Sequence, residues 1–482
     1  MNPRHYIACD LGAESGRVML GTLDACKLTL DEVHRFHNGP VVINGTWRWD
    51  VLRTFEELKT GLRKVAERGL KVESVSTDSW GVDYVWLKDR EPLLTAPYHY
   101  RDTRTDGGFE RAFAAVSTEE IFSETGVQFM TLNTLYQLHW EAGNRPWLFK
   151  NADRFLLIGD YFNYLFSGVA KAEQSLASTT QLYNPKKKKW SRPLLRKLGL
   201  PKKLFPELVP AGAVLGPVLS EFGLTGAQVV ASCSHDTGAA VAAAPANGKG
   251  WAYLSSGTWS LLGVELKKPL ITEQSRQYNF TNEVGYGHSI RFLKNIIGLW
   301  IQQECRRQWG KHDYNELRQL AEKCTPLRSL INPNDERFGK PGNMPEKIAA
   351  FCRETGQLEP TTPGEYTRCI LESLALLYRR TLEQLEACTG QPITTLHIVG
   401  GGSQNLLLNQ FSANATGRTV IAGPAEATAT GNILIQALAL GQLKDLGELR
   451  QVVRNSFAVQ TYKPQDAGTW AQAYERFQKL TA

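Results

Sequence analysis

The sequence predicts an α/β protein of more than one domain, and three observations predict it. The first eighty residues read as three strands, a helix and a strand. Two pairs of apolar runs are each joined by a short turn of glycine and hydroxyl residues, one at 10–17 and one at 255–258. A late stretch, from Leu396 to Leu440, alternates strand and helix around Gly400-Gly401-Gly402. Mixed strand–helix succession of this kind is the pattern of an α/β architecture. The 482 residues exceed the roughly 100–200 of one domain.

Tyr6–Asp10 is an apolar run that ends at Leu11-Gly12, a buried strand feeding a tight turn. Arg17–Leu23 and Leu28–His37 follow as strands and form a meander with it. Leu52–Glu67 carries Leu52, Phe55, Leu58, Leu62 and Val65 at helical spacing, and Val72–Thr77 returns to strand. From Thr105 to Val218 helical stretches alternate with Pro- and Gly-bearing loops. Lys186–Lys189 beside Trp190 reads as a solvated loop. Val229–Cys233 is a strand, Ala239–Ala244 is helix-friendly, and Pro245–Gly250 has the composition of a domain boundary. The expected domains are therefore 1–245 and 246–482. Beyond the boundary come the strands Trp251–Leu254 and Trp259–Leu266, then a long helix over Ile370–Cys388. After them Leu396–Val399 and Thr419–Ala422 read as strands, and Gln404–Ala415 and Ala427–Leu440 as helices. No pattern emerges from Gln451 until Trp470–Leu480, a terminal helix expected to dock onto one domain.

Composition narrows the function. Hydrophobic residues make up 42% and charged residues 21%, which excludes a disordered or fibrous chain. The net charge of +7 is spread too thinly over the chain to argue for nucleic-acid binding. No run of eighteen apolar residues exists, so no membrane helix is expected. The first residues lack the apolar segment of a signal peptide, and a cytoplasmic location with reduced thiols is the expectation. None of the eight cysteines forms a C-x-x-C pair; Cys352 and Cys369 flank a polar stretch and have room to meet, but spacing alone does not pair them and two free thiols are the expectation. A P-loop, an H-E-x-x-H helix and a G-x-S-x-G elbow are all missing, and Gly400-Gly401-Gly402 is not a dinucleotide fingerprint.

Several segments carry chemistry. In Asp10-Leu11-Gly12-Ala13-Glu14-Ser15-Gly16-Arg17, a glycine-bearing turn can present backbone N–H groups to phosphate, the Asp can hold Mg²⁺, and the Arg can add charge. Ser255-Ser256-Gly257-Thr258 repeats that device. Three glycines at 400–402 leave room for a ring or phosphate before a helix. Asp236 follows a strand end, where a carboxylate can take a proton from a hydroxyl or simply begin a helix. Asp78-Ser79-Trp80-Gly81-Val82-Asp83 combines an aromatic face with carboxylates, as a sugar site does, and Tyr100–Arg104 adds a charged cluster. Taken alone, each of the last two is better explained by a buried Trp and a surface ion pair.

Together these residues resemble the FGGY family of carbohydrate kinases. The resemblance is carried by DLGAESGRVML, DSWGVDY, ASCSHDTGAAV, AYLSSGTWSLLG, LKNIIGLW, INPNDERF and LHIVGGGSQN, from Asp10 to Asn405, and by Glu426-Ala427-Thr428-Ala429-Thr430-Gly431. It implies two actin-like (RNase H-like) ATPase domains flanking a cleft. It further implies ATP-dependent phosphorylation of the C1 hydroxyl of L-rhamnulose with Mg²⁺. A kinase of another ketose or polyol, or a non-catalytic actin-like ATP binder, is the alternative. By the same resemblance Asp236 is the general base, and Gly81, His235, Asp236, Thr237 and Asn295 contact sugar. Ala13, Glu14, Ser15, Gly16, Arg17, Thr258, Gln303 and Gly401 contact ATP, and Asp10 serves the metal. Glu14 departs from the family, which favours a small polar residue there. A carboxylate facing phosphate would repel it, so the side chain is expected to point away or to serve the metal.

Overall fold

A computed structural model describes residues 3–310 and 312–481. They form two compact units. The first is Met1–Pro245, Glu265–Phe292 and Ala427–Phe457; the second is Ala246–Val264, Leu293–Glu426 and Ala458–Ala482. The chain passes from first to second unit at 245/246, where the sequence places its boundary, but it returns to the first unit twice. The expected helix near 427–440 thus belongs to the first unit, not the second.

The first unit is built on a six-stranded sheet in the order Ala213–Pro217, Gln228–Ala231, Val72–Ser79, Arg4–Leu11, Ser15–Asp24, Lys27–His37. The pairs linking Gln228–Ala231, Val72–Ser79 and Arg4–Leu11 are parallel, and the outer pairs are antiparallel. Helices cover both faces, so the central strands read as near-continuous buried runs. The helix Val51–Ala66 starts at Asp50, whose side chain accepts from the Arg53 N–H. It turns Val51, Leu58, Leu62 and Val65 inward, whereas Leu52 is 50% exposed and lies off the apolar stripe assigned to it. Its Gly61 approaches Val18 on one face of the sheet, and Ile433 of helix Ala427–Ala439 approaches Gly21 on the other.

Helix Ala427–Ala439 is held to the sheet by polar side chains as well as by packing. Ser74 Oγ donates to Gln436 Oε1 at 2.7 Å, Gln436 Nε2 donates to the Ile7 carbonyl at 3.0 Å, and Asn432 Nδ2 donates to Asp78. The same helix packs on Asp236–Ala242, and the two backbones nearly touch. A Cβ at Gly431 would stand 1.9 Å from the Ala239 carbonyl oxygen. Backbone cannot give way as a side-chain tip can. Gly431→Ala is therefore expected to cost about 1–3 kcal/mol. It should lower the urea midpoint and displace the start of the Asp236 helix; an unchanged midpoint would refute this packing.

Beyond Gln451, where the sequence shows no pattern, the structure has helix Leu446–Ser456 and strand Gln460–Tyr462. That helix buries only Leu449, Val452 and Val453, too short a stripe to stand out. In the middle segment, Tyr84–Lys88 and Arg154–Leu157 pair over an aromatic core with Trp86, Phe149 and Phe155. Lys186–Lys188 lie in an exposed turn, as expected, and the exposed Lys189 opens the short strand Lys189–Trp190.

In the second unit the strands run in the order Ile290–Ile297, Trp259–Leu266, Trp251–Ser256, Thr395–Val399, Thr419–Ala422, Gln460–Tyr462. Strand Trp251–Ser256 pairs antiparallel with Trp259–Leu266 and parallel with Thr395–Val399. The long helix is Pro363–Thr389. It opens with a capping box of Thr362 and Glu365 and closes at Gly390, whose φ is +66°. The terminal helix Ala467–Leu480 packs on helices Leu406–Thr416 and Pro363–Thr389, with Trp470 against the Phe411 ring. Among the described residues no cysteine is in a disulfide, and Cys352 and Cys369 are both buried free thiols. No described helix is long and apolar enough to cross a membrane.

Candidate active site

Strand register places the first carboxylates. Asp10 is opposite Arg17 on one neighbouring strand and opposite Asp78 on the other. Side chains alternate along a strand, so Asp10 and Asp78 share the face covered by helix Ala427–Ala439. The Arg17 guanidinium is paired with Asp10, and Asp78 is fully buried. Asp78 Oδ2 accepts from Asn432, while Oδ1 has no hydrogen-bond partner among the described residues. Burial first, then the charges of Asp10 and Asp236, hold the Asp78 carboxyl well above the usual carboxylate range.

The turn between the first two strands has its carbonyls tied down. Asn38 Nδ2 donates to the Gly12 carbonyl at 2.7 Å, and the Asn38 N–H donates to the Glu14 carbonyl at 3.0 Å. Groups that would repel phosphate are thereby turned into protein. Asn38 escaped the sequence reading because nothing marks it as a partner of a turn twenty-odd residues away. Glu14 is exposed, in line with a side chain directed away from the turn. A Cβ at Gly16 would collide with the Phe36 ring at 2.2 Å, so that glycine is required by packing beneath the strand.

Asp236 is the first residue of helix Asp236–Ala242, with His235 at the cap position and no side-chain cap bond. The carboxylate is not the helix cap that its sequence position also allowed. Ser79 pairs with His235 as an isolated bridge, and the Ser79 N–H donates to the Ser234 carbonyl at 2.8 Å. This brings the Asp236 turn against the strand end that carries Asp78. Asp236 Oδ1 accepts from the Thr237 N–H at 2.5 Å and from Thr237 Oγ1 at 3.1 Å; His235 Nε2 lies 3.4 Å away. Burial first, with the charge of Asp10, pushes the Asp236 carboxyl up. Behind the turn, Glu173 accepts from the Ser234 N–H at 3.0 Å, and Ser175 Oγ accepts from the His235 N–H at 3.1 Å. Neither residue was singled out from sequence, since both are ordinary polar residues in an unremarkable stretch.

The next wall is aromatic. Trp80, Trp49, His99 and Tyr100 stack in that order, with successive ring centroids 4.0, 4.2 and 4.5 Å apart. Asp83 organises them. Its Oδ2 accepts from Trp49 Nε1 at 2.6 Å, Trp80 Nε1 at 3.1 Å and the Tyr100 N–H at 3.0 Å, and its Oδ1 accepts from Gln137 at 3.1 Å. Burial pushes the Asp83 carboxyl up to about 6, against the hydrogen bonds from Trp49 and Gln137. Burial, with Arg101 and Arg104, drops His99 to about 3, so its ring is neutral in the stack. The charged cluster that a surface ion pair would explain is buried: Asp102 and Arg104 side chains are 2% and 4% exposed. Between Trp80 and Asp83 the backbone is strained. Val82 has φ +67°, rare for a β-branched residue. Thr179 Oγ1 accepts its N–H at 3.1 Å and Thr134 Oγ1 donates to its carbonyl at 2.7 Å. Gly81 sits against the same Thr179, 2.8 Å from where a Cβ would be.

The second unit has its own corner. The turn carbonyls at Gly257 and Thr258 are tied as in the first hairpin: the Leu299 N–H donates to the Gly257 carbonyl at 3.0 Å, and the Gly298 N–H donates to the Thr258 carbonyl at 3.1 Å. Gly400 has φ +84°, and a Cβ at Gly402 would overlap Ser256 Oγ at 2.1 Å. A Cβ at Gly401 would meet nothing within 4 Å, which leaves its backbone approachable. Ser256 Oγ and Gln303 Oε1 are buried without a hydrogen-bond partner among the described residues. Thr258, Gln303, Asn295 and Gly401 all belong to this unit.

A nucleotide and its metal can be tested against these groups. The orphaned oxygen of Ser256 beside the glycine turn, and that of Gln303 in the same unit, suit a polar ligand. Among the described residues no three His, Cys, Asp or Glu side chains close around a metal. Carboxylates of Asp10, Asp78 and Asp236 that feel one another's charge suit instead a Mg²⁺ carried mainly by phosphates and water.

The chain matches the model of the FGGY family of carbohydrate kinases, N-terminal domain, over residues 5–243, and the C-terminal domain model over residues 252–440. It is 44% identical to a rhamnulokinase of Bacteroides thetaiotaomicron, covering 98% of this chain and 99% of that one. It is 42% identical to a rhamnulokinase of Bacillus subtilis, covering 96% of each. Its fold matches a xylulose kinase from Lactobacillus acidophilus with a TM-score of 0.83 at 16% identity, over 99% of this chain and 97% of that one. A two-domain kinase fold, a buried carboxylate cluster at a strand end and two domain models that together match most of the sequence converge: the chain belongs to the FGGY family of carbohydrate kinases.

Proposed function

We infer that the chain transfers the terminal phosphoryl group of ATP to the C1 hydroxyl of L-rhamnulose, giving L-rhamnulose 1-phosphate and ADP in L-rhamnose catabolism. The observation that carries this is the identity above 40% with relatives named rhamnulokinase over almost the whole chain. In this reading Asp236 takes the hydroxyl proton. Thr237 and His235 gather on Oδ1, which leaves Oδ2 to act as the base. His235, Thr237, Gly81 and Asn295 hold the sugar. The residues Ala13–Arg17, Thr258, Gln303 and Gly401 hold the nucleotide, and Asp10 serves Mg²⁺. When bound, Mg²⁺ offsets phosphate charge. Arg17 is paired with Asp10, which lies opposite Asp78 in the sheet.

The test is sugar-dependent ADP release with Mg-ATP across L-rhamnulose, L-fuculose, D- and L-xylulose, L-ribulose and glycerol. L-Rhamnulose is expected to give the highest kcat/KM by a wide margin. Preference for another sugar would overturn the substrate and leave the kinase fold intact. ATP binding with no sugar-stimulated turnover would overturn the enzyme reading itself.

A further inference from the structure

Behind the Asp236 turn lies a fully buried cation that the reaction as described does not use. Arg291, at 0% exposure, reaches the far side of the His235 ring. Its NH2 nitrogen lies 3.0 Å from His235 Nδ1 and 3.1 Å from Glu283 Oε2, and its Nε donates to the Val284 carbonyl at 3.2 Å. All of these residues belong to the first unit. The charged groups facing the ring are Asp236 on its own turn, Glu283 on strand Thr281–Val284 and Arg291 on strand Ile290–Ile297. Glu173 stands behind the turn, bonded to the Ser234 N–H.

A guanidinium can only donate. The NH2 group meets one acceptor, His235 Nδ1, and pairs by charge with Glu283 Oε2. A hydrogen on Nδ1 would point at the guanidinium across 3.0 Å. The competing contact, Nδ1 to Glu283 at 3.3 Å, is longer and would strand the arginine donor. The ring proton therefore belongs on Nε2, since the partner of one imidazole nitrogen sets the state of the other. Nε2 is 3.4 Å from Asp236 Oδ1, too long for a strong bond, so its N–H remains available to a sugar oxygen.

We propose that Arg291, anchored by Glu283, is a positioning residue that fixes His235 as the neutral Nε2–H tautomer, presenting a hydrogen-bond donor to the sugar beside Asp236. This rests on the assignment of His235 and Asp236 to sugar and base, and it deepens that assignment. Without Arg291, Glu283 would be the group facing Nδ1, an acceptor, and the ring proton would move to that nitrogen.

Nitrogen-15 NMR of the histidine side chains reads this directly, with the His235 signals identified by their loss in His235→Asn. The native protein is expected to show Nε2 protonated and Nδ1 as an acceptor at neutral pH. A native spectrum with the proton on Nδ1 overturns the proposal, and that measurement requires no substitution to fold. Arg291→Met should move a proton onto Nδ1 and raise the sugar KM by about tenfold or more, with the ATP KM unchanged. Arg291→Lys, which keeps a donor, should restore the native tautomer in part. An unchanged tautomer in Arg291→Met means that the arginine is merely structural and overturns the proposal. The spectrum is independent of turnover, so Nε2–H in a protein that phosphorylates no sugar would sink the kinase assignment and leave the tautomer assignment standing.

Discussion

Asp236→Asn is expected to lower kcat for sugar phosphorylation by about 10²–10⁴-fold, the range for loss of a positioned general base, while ATP binding changes little. The amide can keep its oxygen on the Thr237 N–H and hydroxyl, as Oδ1 does. Its NH2 group then stands where Oδ2 was and cannot accept a proton. Stability should move the other way. Burial and Asp10 raise the Asp236 carboxyl above its unfolded value, so the folded state prefers it protonated and loses stability as pH rises through the folded value. Above that range the neutral amide is relieved of this penalty, and Asp236→Asn should melt higher than the native protein at pH 7. Kinetics and calorimetry together check it. A variant within tenfold of native turnover would remove Asp236 as the base. A variant that is inactive and also less stable would point to a collapsed site instead. Native kcat/KM for the sugar should fall as pH drops through the same carboxyl, because only the ionised form accepts the proton.

The parts legible in the sequence are those that local chemistry determines. Apolar runs ending in a glycine turn could be placed to within a few residues, because strand ends and tight turns impose residue types at adjacent positions. The two hairpins were visible as one device, and the structure adds that each has its turn carbonyls tied by a following segment. What supplies those ties was not visible. Asn38 and residues 298–299 act on backbone, which any sequence offers. The return of 427–457 to the first unit was also invisible, since a small-residue helix suits either unit. It is decided by Gly431, Asn432 and Gln436 meeting Ala239, Asp78, Ser74 and Ile7. The long helix starts at Pro363, seven residues before the expected Ile370, although Thr362-Pro363-Gly364-Glu365, a capping box with proline at the first position, carried a signal for it. Asp236 was legible as chemistry but not as geometry. Its environment, from Glu173, Ser175, Glu283 and Arg291, is assembled from residues about 50–60 positions away in sequence.

Asp83 should dominate the stability of the aromatic wall. Truncation by Asp83→Ala strips the acceptor from Trp49, Trp80, Tyr100 and Gln137 in a site with 0% exposure. Buried donors left without a partner cost about 1–3 kcal/mol each, and such losses are not additive. A total of about 3–5 kcal/mol is expected, as for breaking a buried charged pair. Asp83→Asn isolates the charge. The carboxyl lies at about 6 when folded against an ordinary 3.8. With the folded value raised, the stabilisation is complete below the unfolded value and is lost as pH climbs through the folded one. From about pH 4 to 6 the native protein should lose about 3 kcal/mol through this group, at 1.36 kcal/mol per unit. The neutral amide loses none. Urea unfolding of both proteins across that window should therefore give curves that converge on a fixed offset above pH 6 and separate below it, with the native chain gaining relative to the variant. Parallel curves would mean that the carboxyl is not held protonated by its surroundings. The stack that Asp83 orders includes Trp80 beside Gly81, so in both variants the sugar KM should rise more than the ATP KM, tying the wall to the sugar rather than to the nucleotide.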